Sequence, residues 1–153
     1  MIKKSQAWGI DATIAVTIFI IGIFIFYIYS INTENKSTIE KLSYDGKVVM
    51  DSILSDGYPL NWDSTSVIKI GILSQNKINE AKLQNFYNLE YSKTRKLFNT
   101  RYNYYFFLSE NMYINGNVVE GIGNQGANKN LIKITRFTIY RNKPVTAYLY
   151  IWE

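Results

Sequence analysis

The sequence predicts an α+β protein: a long N-terminal transmembrane helix packed on a small antiparallel β-sheet head with one or two short helices. Three observations carry that expectation. The twenty residues Ala12–Ile31 contain no charged side chain, the stretch behind them keeps helical periodicity up to a turn signal at Ser55–Pro59, and the C-terminal stretch alternates apolar and polar residues at the period of a strand. The expected division is a basic leader over 1–9, a transmembrane helix over 10–31, an amphipathic continuation over 32–56 and a β-rich extracytoplasmic head over 57–153.

The apolar run comes first. At 1.5 Å per residue, about twenty residues cover roughly the 30 Å of a bilayer's hydrocarbon core, where a single helix satisfies all of its own backbone hydrogen bonds. A cleavable secretory signal would have an apolar region of about 7 to 15 residues followed by a small-residue cleavage site. Here the run is longer and ends in FYIYSINTENKS, without such a site, so a retained signal anchor is expected. Lys3 and Lys4 precede the span, whereas Lys36 and Lys41 beyond it are offset by Glu34 and Glu40. The positive-inside rule and the shortness of the leader place the N-terminus in the cytoplasm and the body outside. Phe24, Phe26, Tyr27 and Tyr29 read either as an interfacial aromatic belt or as rings that fill gaps between adjacent helices. Gly22 would allow a close helix approach.

Beyond Ile31, Ile39, Leu42, Val49 and Ile53, with Val48 and Met50 beside them, recur at three- and four-residue steps. Gly46 interrupts them at a cost of about 1 kcal/mol relative to Ala. Gly57 suits a C-terminal cap and Pro59 bars continuation, so the helix should run from about Ile10 to about Ser55, roughly 65 to 70 Å at 1.5 Å per residue. After the turn, Ser66–Leu73 reads as a short strand, Asn79–Tyr87 and Tyr91–Phe98 as helices, and the aromatic run from Arg101 to Glu110 as a strand. Asn115 and Gly116 could close a small hairpin, and the rest of Asn111–Asn130 reads as a flexible loop. Its GIGNQG stretch, Gly121–Gly126, lacks the spacing and the strand-to-helix setting of a dinucleotide site. The C-terminal hairpin pairs Leu131–Tyr140 with Val145–Trp152 across the connection Arg141, Asn142, Lys143 and Pro144. Val145, Ala147, Leu149 and Ile151 should line one face, packed against the long helix, and Thr146, Tyr148, Tyr150 and Trp152 the other.

Composition narrows the function. The net charge is +5, but the densest basic set, Lys93, Arg95, Lys96 and Arg101, reads as solvated surface, and no nucleic-acid partner is expected. The chain has no cysteine and no histidine. That removes disulfides, thiol nucleophiles, a Ser–His–acid triad, the common zinc sites and the usual general base near neutral pH. Asp45, Asp51 and Asp56 are spaced by six and five, which scatters them around a helix, whereas paired catalytic carboxylates must converge. No enzyme activity, cofactor or metal site is expected. Asn35, Lys36 and Ser37 form a glycosylation sequon that matters only outside the cytoplasm.

A basic leader, the Lys4-Ser5-Gln6 step, Asp11 near the start of the apolar stretch, a long N-terminal helix and a β-rich head together resemble type IV pilins and their archaeal pilin-like relatives. The N-terminal third carries most of this likeness; GYPLNW, the IGIL run and the aromatic C-terminal hairpin look like archaeal pilin-like proteins more loosely. The resemblance implies a membrane-stored precursor, cleaved near Lys4, Ser5 and Gln6 by a prepilin peptidase-like enzyme. It implies a structural subunit, major or minor, of an extracellular type IV pilus-like filament formed with copies of itself or related pilins. The helix-bundle core would draw on Ile14, Ile18, Ile21, Gly22, Ile25 and Ile28. With cleavage after Ser5, Gln6 becomes the first residue and Asp11 the sixth, whereas the family places its acid fifth.

Two readings of Asp11 stay open. A carboxylate costs about 2.5 to 3.5 kcal/mol at the centre of a membrane helix and less near the interface. In pilin-like assembly it pairs with the amino terminus of a neighbouring subunit and sets axial register; alternatively it sits in the first turn, favoured by the helix dipole and wetted by headgroups. The competing function is a single-pass membrane-anchored protein whose extracytoplasmic domain binds a partner and does not polymerise.

Overall fold

The computed structural model describes the backbone of residues 4–126 and 130–153, and their side chains except those of 4–8 and 32–37. Helix α1 (Lys4–Ile53) opens the chain. It is followed by β1 (Leu73–Ser74), β2 (Lys77–Ile78), α2 (Glu80–Asn88), α3 (Tyr91–Leu97), β3 (Asn103–Leu108), β4 (Met112–Ile114), β5 (Asn117–Val119), β6 (Ile122–Gly123), β7 (Leu131–Tyr140) and β8 (Lys143–Trp152). The class is α+β, with an N-terminal apolar helix and a mostly antiparallel sheet. Two compact units divide the chain, Met1–Thr38 and Ile39–Glu153, so α1 contributes to both.

In the second unit the sheet order is β1-β2-β7-β8-β3-β6, with β4 and β5 forming a separate hairpin. The centre is the β7–β8 hairpin, paired along its whole length from Leu131 opposite Trp152 to Tyr140 opposite Lys143. Its turn is two residues rather than the expected four, Arg141 and Asn142, both at positive φ, which matches the right-handed twist of the strands they join, and Lys143 and Pro144 already pair in β8. Asn115 and Gly116 close β4–β5 in the same way, and so do Gln75 and Asn76 between β1 and β2. The parallel contact between β2 and β7 places Lys77 beside Ile139.

The inward face of the sheet carries Tyr104, Phe106, Val145, Ala147, Leu149 and Ile151, all buried. Against it lies the last part of α1, where Leu42, Val49, Met50 and Ile53 are buried and Val48 is exposed. This is the expected amphipathic stripe except for Ile39, which like Val48 is exposed, and Gly46 belongs to it. A Cβ there would stand 2.6 Å from Ile134 Cδ1 and 2.8 Å from Ile151 Cγ2, so the glycine lets the helix backbone approach the strands.

Two expectations are corrected. Of Ser66–Leu73, only the last residue lies in a strand: beyond an isolated bridge between Tyr58 and Lys69, regular pairing begins at Leu73, in β1. The segment docks instead on the end of α1, with Ile72 N–H donating to Ile53 O (2.8 Å) and Leu73 N–H to Ser55 O (2.9 Å), while Val67, Ile70 and Ile72 turn into the core. The stretch read as loop contains β6, whose Ile122 pairs with Phe106. Trp152 faces outward with Tyr148 and Tyr150 yet is buried, and Gly126 lies in van der Waals range of its ring.

Candidate functional site

Gly9–Ile31 is 23 residues long, apolar enough to cross a membrane, and none of it is buried. Its two threonine hydroxyls are satisfied within the helix: Thr13 Oγ1 donates to Gly9 O and Thr17 Oγ1 to Thr13 O, both at 2.8 Å. The segment therefore offers apolar side chains and few free polar atoms, which suits lipid or another apolar helix as a neighbour. Ile14, Ile18, Ile21, Ile25 and Ile28 follow one another on one side of α1 at three- and four-residue steps, all exposed, and Gly22 has no atom within 4 Å of where its Cβ would stand. Asp11 is exposed near the start of the same segment. Lys4, Ser5 and Gln6 belong to the first turns of α1 and Asn35 to its middle, but these four side chains lie outside those described.

The second unit has a different feature, a cleft of about 600 Å³ between the α2–α3 corner and the β5–β6 loop. Tyr87, Tyr91 and Tyr105 stand in its wall with Glu120 and Gln125. Two glycines let the loop lie against the aromatic strand: a Cβ at Gly121 would fall 2.3 Å from Tyr105 Cζ, and one at Gly123, whose φ is +122°, 2.3 Å from Tyr104 O. The rings are held by hydrogen bonds. Tyr91 Oη donates to Asn103 Oδ1 (3.2 Å) and accepts from Tyr104 N–H (3.1 Å), and Gln125 Nε2 donates to Tyr105 Oη (3.2 Å). Burial pushes the Tyr91 and Tyr105 hydroxyls up from their ordinary pKa, and the charge of Glu120 adds to this at Tyr105, so both stay neutral.

The basic residues singled out from the sequence are spread over two contacts. Lys93 Nζ donates to Ser64 O (2.6 Å), whereas Arg95, Lys96 and Arg101 border an open groove with Asp45. Asp51 pairs with Arg136 at 3.5 Å, and Asp56 is exposed. The three aspartates of the α1 end are not brought together. Among the described residues, no three His, Cys, Asp or Glu side chains gather around a common point.

Comparison with protein-family models, with curated proteins and with solved structures finds no match.

Sequence reasoning missed Lys82. It sits in α2 beside Leu83 with only 6% of its surface exposed, and its ammonium donates to Asp56 O and Leu73 O, each at 2.8 Å. Its charge argued for solvent, and no local signal marks it. The cleft was missed for a related reason: its tyrosines are distributed over α2, α3 and β3, and only the fold assembles them.

Proposed function

We propose that the chain is a structural subunit of a type IV pilus-like filament, inserted through Gly9–Ile31 and assembled by packing of these helices. The observation that carries the reading is that no residue of that apolar segment is buried, since such a surface needs lipid or other helices to cover it. In the stored form lipid covers it; in the filament the exposed isoleucines and phenylalanines of neighbouring copies do. The basic leader and Asp11 support the reading because they give a peptidase a cut site and the assembling helix a charge to place in register.

A second reading is a single-pass anchor whose extracytoplasmic unit binds a partner without polymerising, and the cleft among Tyr87, Tyr91 and Tyr105 favours it. N-terminal mass spectrometry of native membranes and of sheared surface material, with electron microscopy of the latter, separates the two. Filaments built from a chain that has lost about MIKKS support the first reading. An intact anchor found only in membranes defeats it.

A further inference from the structure

The cleft continues into a chain of rings on the outward face of the sheet. Tyr105 of β3, which lines the cleft, contacts Phe107 with centroids 5.8 Å apart, and Phe107 contacts Tyr148 at 5.0 Å and Tyr150 at 5.1 Å on β8. Lys133 of β7 places its ammonium 4.1 Å from the centroid of Tyr148. We propose that the cleft and this ring chain form a binding site for a neutral saccharide chain, one unit held in the cleft and further units laid across Phe107, Tyr148 and Tyr150.

Four features point to that chemistry. The volume of the cleft, about 600 Å³, falls within the range of small-ligand sites. Aromatic rings present a negative face that the C–H groups of a sugar ring can stack on, whereas hydroxyls need polar partners, which Glu120, Gln125 and the tyrosine hydroxyls supply. The Tyr91 and Tyr105 rings are already fixed by hydrogen bonds, so binding orders few side chains.

Charge decides among the remaining candidates. The outward-facing residues of β3, β7 and β8 include no acid and a single cation, Lys133, while the cleft itself contains Glu120. A polyanion such as single-stranded nucleic acid would find one counter-charge and meet a carboxylate. An aliphatic protein surface would cover the exposed Glu120 carboxylate and offer it no donor. A neutral polyhydroxylated chain suits both halves of the site. The inference stands apart from polymerisation, because every residue it uses lies in the second unit.

The test uses the full chain in phosphatidylcholine nanodiscs, which avoids sugar-headed detergents. Cellohexaose, chitohexaose, mannohexaose and maltohexaose are titrated while the backbone amides of Gly121 and Gly123 and the side-chain amide of Gln125 are followed by NMR. Saturable shifts are expected with at least one of them, with half-saturation below about 20 mM. Tyr87, 45% exposed, can be removed without opening the core. Tyr87→Ala should weaken binding of the hexasaccharide and its disaccharide alike by about fivefold, and Tyr148→Ala should weaken only the hexasaccharide. Absence of shifts with all four sugars, shifts with oligothymidine or hyaluronan in their place, or full binding by Tyr87→Ala would overturn the proposal. None of these outcomes depends on whether filaments form.

Discussion

Lys82 is a charged side chain whose role is to hold two loops. Its two carbonyl partners, Asp56 O and Leu73 O, lie where the chain leaves α1 and enters β1. Lys82→Met keeps most of the volume but leaves both acceptors without this donor, and a loss of about 3 kcal/mol is expected in chemical denaturation. Asp63 acts locally. Its Oδ1 accepts from Thr65 N–H, Thr65 Oγ1, Ser66 N–H and Ser66 Oγ at 2.7 to 2.9 Å. The Thr65 hydroxyl contributes most to holding its carboxyl far below the ordinary value of 3.8, followed by the two backbone N–H groups and the Ser66 hydroxyl. A depressed folded-state pKa means that this turn is supported above about pH 4 and loses the support as pH falls through the folded value. In an acid titration followed by NMR, the Thr65 and Ser66 amides should therefore keep their positions at pH 4 and move only at lower pH. An ordinary titration near 3.8 would contradict this.

At the scale of elements, turn chemistry was legible and close packing was not. The Asn115–Gly116 hairpin and the β7–β8 alternation are local patterns, and both form as read, as do α2 and α3 within a residue or two at each end. Val67–Ile72 misled because apolar density marks burial as readily as it marks a strand; here the burial is against α1, and Gly71 explains how. A Cβ on Gly71 would stand 2.2 Å from Gly57 N and 2.4 Å from Ser55 O, so the two backbones touch. Gly71→Ala would push backbone against backbone, and a loss of about 3 kcal/mol is expected in thermal unfolding. Gly22→Ala is the contrasting substitution. With nothing within 4 Å, it should leave the melting temperature of the monomer unchanged, and any loss of filaments would then report a close helix neighbour.

For the whole molecule, the division at Thr38 predicts two behaviours in one chain. A version beginning at Ile39 keeps the stripe Leu42–Ile53 and the sheet it covers, so it should stay in water and melt in one cooperative transition, whereas the full chain should need lipid or detergent. Aggregation of the shortened chain, or a full chain that disperses without detergent, would refute this. The sequence by itself determined the apolar N-terminal helix, its amphipathic continuation and the C-terminal hairpin, because each rests on a period of 3.6 or 2 that neighbours along the chain impose. Only the tertiary structure decided what depends on segments far apart: the burial of Lys82, the docking of Val67–Ile72 on α1, and the meeting of Tyr87, Tyr91 and Tyr105 around one cleft. Side chains on different elements have no shared period, and their convergence follows from how the elements pack.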